Sequence, residues 1–223
     1  MTIALTGFMG CGKSSVGRKL SELLCCPFMD LDSVIEERAG CSIPEIFAND
    51  GEAVFRQMEL DTLRTIINSS TTAEGVQKQS LPSSMGPSLC GQRGSTVSAP
   101  SLLPHHCMVL ALGGGAVMTP ECAELVREKT LCIYLRTSVD TLVSRLASEA
   151  EGRPLLNPAS QPESTDSSNS PNEPAADLRT RIESLMSRRA STYEATAHMI
   201  LDTDGLSIDE IVQTLATKIR TIR

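Results

Sequence analysis

Short apolar runs alternate with helical patterns along most of the chain. The runs that predict buried strands are, in chain order, 2–5, 28–29, 108–112, 131–135 and 198–201. Between these runs, apolar residues recur every three to four positions, which predicts amphipathic helices. Short apolar strands that alternate with helices are typical of a parallel sheet covered on both faces. We therefore predict a three-layer α/β/α domain built around five parallel strands.

Capping signals help to place the helices. Ser42 with Glu45, and Ser207 with Glu210, match the capping box, in which the two side chains satisfy backbone N–H groups at a helix start. Gly40 is expected to end a helix, because glycine readily adopts the left-handed conformation found there. The helices that carry residues discussed below are predicted over 13–24, 32–38, 51–68 and 178–195.

Two segments interrupt this pattern. Residues 69–107 contain nine Ser, four Pro and only three charged side chains, and residues 157–177 contain five Ser, four Pro and four acidic side chains but no basic one. Because neither segment can bury enough apolar area to offset the entropy lost on ordering, we expect two disordered insertions. The remaining 163 residues then form the core of a single domain over 1–223, in which the second insertion extends a lid over 152–177.

Composition argues against several functional classes. The chain has 223 residues, a net charge of −7, four Phe, two Tyr and no Trp. Nucleic-acid binders need clustered Lys and Arg and often aromatic stacking platforms, and this chain offers neither. No apolar run approaches the ~20 residues that a membrane helix needs. We expect no nucleic acid and no membrane as partners, and a monomer, since no exposed association stripe is evident.

The cysteines indicate a reducing environment. None of the eight belongs to a CxxC pair, and no Cys and His residues have the spacing of zinc ligands. The even number is compatible with disulfides, but dispersed cysteines in the apolar stretches of a chain this long are more often buried thiols. A functional motif that begins at Gly7 also leaves no room for a signal peptide. We therefore expect a cytoplasmic protein.

A glycine-rich motif joins the first predicted strand to the first predicted helix. Residues 7–14 read GFMGCGKS and match the phosphate-binding pattern GxxxxGK[ST]. The glycines let backbone N–H groups turn towards phosphate oxygens, and the following helix presents its positive end to the same anion. Lys13 is predicted to reach the β- and γ-phosphates of a nucleotide, and Ser14 to bind Mg²⁺. A chance glycine-rich turn, the alternative, does not explain the position between a strand and a helix.

Two acidic residues lie in the sequence DLD at 30–32, where the second predicted strand ends. Asp30 and Asp32 are separated by one residue, so on a strand both carboxylates would share a face. We expect them at the carboxyl end of the sheet, where open α/β sheets bind ligands. One would hold the water shell of the metal, and the other would accept or orient the proton of an attacking hydroxyl. The alternative is that Asp32 simply caps the next helix.

Arginines are the remaining candidates. Arg56 and Glu59 share a helical face, which favours an arginine held in place to meet an anionic substrate. Arg153 lies in a lid-like loop, from which it can close over a transferred phosphoryl group. Arg189, in a segment that ends at Tyr193, is a further candidate. The alternative for each is a solvated surface arginine or an exposed salt bridge.

Taken in order, these motifs resemble the shikimate kinases, small P-loop kinases related in fold to the nucleoside monophosphate kinases. The resemblance covers about 163 residues and leaves out only the two insertions. Its parts are the loop at 7–15, DLD at 30–32, SIPEIF at 42–47, FRQME at 55–59, LGGG at 112–115, RPLL at 153–156 and RASTY at 189–193. The phosphate loop is generic, whereas the other motifs in this order are specific.

The resemblance implies roles residue by residue. The residues implied to bind ATP are Gly10, Cys11, Gly12, Lys13, Ser14, Ser15 and Arg153. Those implied to bind shikimate are Asp32, Arg56, Gly114, Gly115 and Arg189. Lys13, Asp32 and Arg153 are implied to be catalytic. Mg²⁺ would be held by Ser14 and, through water, by Asp30.

Further details of the acceptor site come from the same resemblance. The helical region 32–60 would bind the substrate, with Asp32 as the base for its hydroxyl and the arginines as a clamp on its carboxylate. Phe47 and Phe55 would line the sugar-like ring. Arg145 is similar to an arginine near adenine. The first insertion replaces a connection that is usually short in this family.

The implied reaction is the ATP-dependent phosphorylation of the 3-hydroxyl of shikimate, a step of aromatic amino acid biosynthesis. One alternative is a related kinase for a sugar acid or a nucleotide, which would lack the arginine clamp. The other is a non-catalytic ATP-binding regulator. Such a protein would be expected to have lost Lys13, Asp30, Asp32 or Arg153, and all four are present.

Overall fold

Strands and helices follow one another in the order that the apolar pattern predicts. The computed structural model describes residues 1–71, 107–147 and 174–221. Within them lie the strands β1 (Thr2–Thr6), β2 (Phe28–Asp30), β3 (Met108–Ala111), β4 (Thr130–Arg136) and β5 (Met199–Asp202). The helices are α1 (Lys13–Leu23), α2 (Leu31–Ala39), α3 (Ile43–Asn49), α4 (Gly51–Thr71), α5 (Pro120–Lys129), α6 (Val139–Leu146), α7 (Pro174–Thr196) and α8 (Ile208–Thr221). All five predicted strands are present, and four of them are confirmed to within one residue at either end, whereas β2 ends at Asp30 and not at Asp32.

The five strands form one parallel sheet in the order β2-β3-β1-β4-β5. Successive side chains of the central strand β1 alternate between two cores. Ile3 and Leu5 pack with α1, α6 and α8, whereas Ala4 packs with α2, α3, α4 and α5. Both faces of the sheet are therefore covered by helices, and the predicted α/β/α fold is confirmed.

The carboxyl ends of neighbouring strands place two loops side by side. β1 pairs with β3 in parallel register, and the backbone N–H of Leu112 donates to the carbonyl oxygen of Leu5 at 3.0 Å. The loop that leaves β1 at Gly7 and the loop that leaves β3 at Gly113 are therefore adjacent. β2 ends on the far side of β3, so Asp30 faces the same edge, where parallel sheets form their binding crevices.

Helix ends agree with the capping signals. The backbone N–H of Ser42 donates to the Glu45 carboxylate at 2.8 Å, and that of Ser207 donates to the Glu210 carboxylate at 2.8 Å. These hydrogen bonds satisfy donors that have no partner within the helix, and loss of a cap of this kind typically costs about 1 kcal/mol. In both cases the bond fixes where the helix begins.

Folded elements extend into the ends of both proposed insertions. α4 continues through residues 69–71, and the Cys107 side chain is buried in the core. α7 begins at Pro174 rather than at residue 178. Residues 72–106 and 148–173 lie outside the described residues, and so do Arg153 and the part of the proposed lid that precedes α7.

Candidate active site

The loop between β1 and α1 is shaped by its glycines. Gly7, Gly10 and Gly12 have φ angles of 142°, 79° and 95°, which L side chains rarely adopt. A Cβ on Gly10 would also lie 2.8 Å from the Leu146 side chain. α1 begins directly after Gly12, so its unpaired N–H groups and positive dipole lie at the end of the loop. This arrangement favours an anion such as a phosphate.

A cavity of about 580 Å³ opens over this loop. All of the loop residues 10–15, together with Asp30, Asp32 and Gly114, contribute to its lining. The Lys13 ammonium group lies inside the loop, where Nζ donates to the carbonyl oxygens of Gly7 and Phe8, both at 3.0 Å. The structure thus brings the predicted nucleotide-binding residues, except Arg153, to one cavity.

Ser14 and Asp30 meet at the edge of the cavity. The Ser14 hydroxyl donates to a carboxylate oxygen of Asp30 at 2.6 Å. A hydroxyl and a carboxylate are hard oxygen ligands of the kind that Mg²⁺ prefers, usually with water in its remaining positions. These two residues therefore fit the metal that the sequence predicts there.

Asp32 lies on a helix rather than on a strand. β2 ends at Asp30, and Asp32 falls in the first turn of α2. The expectation that both carboxylates share a strand face is wrong, because the chain turns into the helix immediately after Asp30. The capping alternative is also wrong, since the cap is Asp30, whose carboxylate accepts the N–H of Asp32 at 3.2 Å. Both side chains nevertheless line the cavity.

The environment of Asp32 makes its carboxylate unusually basic. Burial and the negative charge of Asp30 raise the pKa of Asp32 to about 6, although the charge of Lys13 lowers it in part. A carboxylate with this pKa is mostly ionised at neutral pH, yet it holds a proton more readily than an ordinary aspartate. These properties suit a group that takes a proton from a hydroxyl.

Arg56 is held between two carboxylates of its own helix. Its Nη1 donates to Glu59 at 2.8 Å and its Nη2 donates to Glu52 at 3.0 Å. The Glu59 side chain is only 1% exposed, so the alternative of a fully exposed salt bridge does not hold. Burial raises the pKa of Glu59, although Arg56 lowers it in part. For Arg56, burial lowers the pKa, but the two glutamates raise it, and the net shift is upwards. The guanidinium is therefore fixed and charged.

The three glycines after β3 allow close contact with these charges. A Cβ on Gly113 would lie 2.5 Å from Oδ1 of Asp32 and 3.0 Å from Oε1 of Glu59. A Cβ on Gly115 would lie 2.8 Å from Nη2 of Arg56. Larger residues would therefore push the carboxylate and the guanidinium away. The loop brings Asp32 and Arg56 to opposite ends of one short backbone segment.

α7 supplies Arg189 and Tyr193 from the other side of this loop. The Tyr193 hydroxyl donates to the carbonyl oxygen of Gly114 at 2.5 Å. Arg189 lies one helical turn earlier, and its Nη1 atom is buried without a hydrogen-bond partner among the described residues. A buried guanidinium nitrogen without an acceptor is costly, which favours an anionic ligand at this position. Sequence reasoning selected Arg189 but gave Tyr193 no role of its own.

Two phenylalanines lie close to Arg56. The ring centroids of Phe47 and Phe55 are 4.7 Å apart, and the Arg56 guanidinium carbon lies 5.2 Å from the Phe55 ring centroid. Phe55 is 4% exposed, whereas Phe47 is only partly buried. Phe55 thus supports the arginine, and Phe47 keeps a surface that a ligand can contact.

Apolar residues before and in α8 also line the cavity over the loop 7–14, namely Leu206, Ile208 and Ile211. Arg145 of α6 lines the same cavity, and its Nη1 donates to the carbonyl oxygen of Gly10 at 3.4 Å. Sequence reasoning selected Arg145 but missed the three apolar residues. Their signal was available, because Leu206 and Ile208 flank the predicted cap Ser207, but apolar residues at a helix start are ordinarily read as core.

No cluster of three or more His, Cys, Asp or Glu side chains with the arrangement of a metal site occurs in residues 1–71, 107–147 and 174–221. None of the helices in those ranges is both long and apolar enough to cross a membrane.

Comparison with known proteins identifies the family. The sequence profile of the family described as shikimate kinase matches residues 9–76 and 99–220. A shikimate kinase of Geobacter sulfurreducens is 36% identical over 98% of this chain and 90% of its own length. One of Salinibacter ruber is 34% identical over 95% of this chain and 81% of its own length. The chain belongs to the shikimate kinase family.

Solved structures agree with this assignment. The shikimate kinase from Acinetobacter baumannii, solved in complex with shikimate, matches 100% of this chain and 94% of its own, with 26% identity and a TM-score of 0.71. The shikimate kinase from Bacteroides thetaiotaomicron matches 98% of both chains with 25% identity and a TM-score of 0.70. Because both structures match nearly the whole chain, the fold is the P-loop kinase fold of this family. The profile match leaves out residues 77–98, which lie inside the first proposed insertion.

Proposed function

We propose the residue roles by which this chain, as a shikimate kinase, transfers the γ-phosphoryl group of ATP to the 3-hydroxyl of shikimate. The observation that carries the proposal is the meeting of Asp32, Arg56 and Gly113–Gly115 at the edge of the cavity over the phosphate loop. This arrangement places a basic carboxylate and a fixed guanidinium beside the expected position of the phosphate. A small acceptor that carries both a hydroxyl and a carboxylate complements it.

The phosphate loop binds and orients ATP. Backbone N–H groups of residues 10–15 surround the phosphates, and Lys13 exchanges its carbonyl partners for phosphate oxygens. Ser14 would hold Mg²⁺ directly, and Asp30 would hold it through water. When bound, Mg²⁺ supplies positive charge that offsets the charge of the phosphates. Because phosphoryl transfer depends mainly on positioning and charge stabilisation, these residues account for the largest part of catalysis.

Asp32 takes the proton of the attacking hydroxyl. Its pKa of about 6 leaves it ionised at neutral pH and still basic enough to accept this proton. As the oxygen of the hydroxyl bonds to phosphorus, the proton passes to the Asp32 carboxylate and ADP leaves. The position of Asp32 against Gly113 confines the hydroxyl to the side of the site next to the phosphate loop.

Arg56 and Arg189 bind the carboxylate of the acceptor. Glu59 fixes Arg56 in place through the 2.8 Å ion pair, so that little side-chain entropy is lost when the acceptor binds. The unpartnered Nη1 of Arg189 then gains a charged acceptor. Two arginines on one carboxylate give both affinity and orientation.

Further roles are proposed from the sequence motifs. We assign Arg153 to a lid that closes over the transferred phosphoryl group, within a lid region that begins at residue 152 and ends before α7 at Pro174. The insertion between the end of α4 at Thr71 and the buried Cys107 has no catalytic role and belongs to a single domain, 1–223. The protein acts as a cytoplasmic monomer. The cytoplasmic location is supported by the seven described cysteines, none of which belongs to a disulfide and four of which are buried.

An ADP-release assay with a panel of acceptors tests the proposal. The panel holds shikimate, a sugar acid, a nucleoside monophosphate and water alone, each with ATP and Mg²⁺. We expect turnover with shikimate to exceed turnover with every other acceptor by at least ~100-fold, because only shikimate combines the hydroxyl and the carboxylate in one rigid ring. ATP turnover that does not depend on shikimate would refute the proposal.

A further inference from the structure

Tyr193 makes a contact that connects α7 to the acceptor loop. Its side chain is 0% exposed, and its hydroxyl donates to the carbonyl oxygen of Gly114 at 2.5 Å. Its ring stacks on that of Tyr134, with 5.1 Å between centroids and 29° between planes. The phenol is therefore held by packing, and its hydroxyl is directed at one peptide group of the loop.

That peptide group also carries a donor of the acceptor site. The carbonyl oxygen of Gly114 and the N–H of Gly115 belong to one planar unit and point in opposite directions. A hydrogen bond that draws the oxygen towards Tyr193 therefore turns the N–H of Gly115 away from α7. In the described part of the chain, this N–H donates to no protein group. Gly115 lies against the guanidinium of Arg56, where its Cβ would be 2.8 Å from Nη2.

The loop needs such a contact because its residues impose little conformation of their own. Gly113, Gly114 and Gly115 follow one another, and glycine has the widest choice of backbone angles. Substitution by a larger residue would not solve this, since a Cβ at Gly113 or Gly115 would collide with Asp32 or Arg56. The N–H of Ala116 donates to the carbonyl oxygen of Gly113 at 3.2 Å and closes the turn, but such a bond is compatible with either orientation of the central peptide between Gly114 and Gly115. A contact from outside the loop is therefore needed to select one orientation.

Tyr193 is suited to act as a permanent donor. Burial raises the pKa of its hydroxyl, although the charge of Arg189 and a hydrogen bond with the Arg189 side chain lower it in part, so the proton stays in place at physiological pH. Arg189 lies four residues earlier in α7, on the same helical face. The same helix face thus carries one arginine of the proposed clamp and the contact that orients the loop.

We propose that Tyr193 is a positioning residue for shikimate. Its hydroxyl sets the Gly114–Gly115 peptide so that the N–H of Gly115 and the guanidinium of Arg56 meet the acceptor together. Tyr193 itself does not touch the acceptor or the reacting atoms. The inference rests on the proposed function, in which these groups bind shikimate.

The test compares Tyr193→Phe with Tyr134→Phe. Each variant removes one hydroxyl from the same stacked pair, but only the first removes the bond to Gly114. Because the Tyr193 hydroxyl also contacts the Arg189 side chain, Tyr193→Phe is measured in the Arg189→Ala background as well. A rise in the KM for shikimate that persists there belongs to the contact with Gly114, whereas a rise that vanishes there acts through Arg189 and contradicts the inference. For Tyr193→Phe we expect the KM for shikimate to rise about tenfold, equivalent to ~1.4 kcal/mol, with the KM for ATP changed less than ~2-fold. For Tyr134→Phe we expect both constants to stay within ~2-fold of the wild type.

Other outcomes would overturn the inference. An equal rise in both KM values, or no change in either, would contradict a positioning role. If Tyr193→Phe lowers Tm, calorimetric titration below that Tm decides the question. Retained ATP binding with weakened shikimate binding supports the proposal, whereas loss of both shows a structural role only. A wild-type protein without shikimate-dependent ADP release would instead refute the proposed function itself.

Discussion

The nucleotide half of the site and its acceptor half share one edge of the sheet but are assembled differently. The nucleotide half consists mainly of the continuous segment 7–16, in which backbone groups and one lysine face the cavity. The acceptor half gathers Asp32 from α2, Arg56 from α4, the loop 113–115 and two residues of α7. The nucleotide half therefore depends mainly on the conformation of one loop, whereas the acceptor half depends on contacts between segments that are distant in the sequence.

This difference has an energetic consequence. Backbone N–H groups at a helix start are uncharged and cost little to leave facing a cavity. The acceptor half instead places charges in poorly solvated positions, where they need partners. Glu59 is 1% exposed and paired with Arg56, Asp32 has a raised pKa, and one nitrogen of Arg189 lacks a partner. The acceptor half therefore trades stability for recognition, and variants in the two halves should behave differently.

The largest effect is expected from Lys13→Ala in the nucleotide half. Lys13 is the one charged side chain of the loop 7–14. Loss of a positioned cation at the transferred phosphate should lower kcat by roughly 1000-fold, as measured by ADP release. The matched control is Lys19→Ala, because Lys19 also lies on α1 but forms an exposed ion pair with Asp209 at 2.7 Å. Equal losses in the two variants would remove the assigned role.

Asp32→Asn should lower kcat by a few hundred-fold, since a general base of this kind contributes about 10²–10⁴-fold. The pH profile sharpens the assignment. With a pKa of about 6, wild-type kcat/KM should fall as pH drops below about 6, because Asp32 becomes protonated and cannot accept the proton. The variant should lose this acid limb. An unchanged limb in Asp32→Asn would assign the titration to another group.

The same substitution should stabilise the protein at neutral pH. The pKa of Asp32 is about 6 in the folded protein against 3.8 ordinarily, so the folded state binds the proton more tightly. The free energy of unfolding contributed by this group therefore decreases as pH rises from about 4 to about 6. We expect Asp32→Asn to raise Tm at pH 7.5 and to have little effect at pH 3.5. A lower Tm at pH 7.5 would contradict the view that the acceptor half trades stability for recognition.

Arg56→Ala should act on the acceptor half alone. Its loss removes one arm of the carboxylate clamp and leaves buried Glu59 unpaired, so the KM for shikimate should rise about 100-fold. The KM for ATP should change little, as coupled kinetics with each substrate varied in turn would measure. Arg64→Ala, on an exposed arginine of the same helix, is the control. A matching rise in the KM for ATP would show that the two halves are not separable.

The smallest effect is expected outside both halves. Replacement of residues 77–98 by a short Gly-Ser linker should change kcat/KM by less than ~2-fold and Tm by less than ~2 °C. The reason is that long insertions in surface loops cost little stability. Thermal melts and the ADP-release assay measure both quantities. A collapse of the melting transition would mean that this segment is part of the folded domain.

The sequence predicts the sheet and the nucleotide half well for a physical reason. β1, β3 and β4 are apolar because both of their faces are buried, and the loop 7–14 carries its glycines where the φ angles require them. Local pattern and structure therefore coincide. In the acceptor half, the pairing of Arg56 with Glu59 is also predictable from the sequence, because side chains three positions apart on a helix are neighbours.

Other features depend on contacts that a local pattern does not contain. The turn of the chain into α2 at Leu31 moves Asp32 off the strand, although the spacing alone suggested a shared strand face. Tyr193 contacts Gly114, which is 79 positions away in the sequence, and no local pattern around either residue predicts this contact. Leu206 and Ile208 line the cavity although apolar residues at a helix start usually belong to a core.

The central claim is that the acceptor half recognises the carboxylate of shikimate through Arg56. The most direct test measures kcat/KM by ADP release for shikimate and for shikimate methyl ester, in the wild type and in Arg56→Ala. We predict that the ester lowers wild-type kcat/KM by at least ~100-fold and that most of this difference disappears in the variant. A wild-type enzyme that uses the ester as well as shikimate, or a variant that still discriminates fully, would contradict the account.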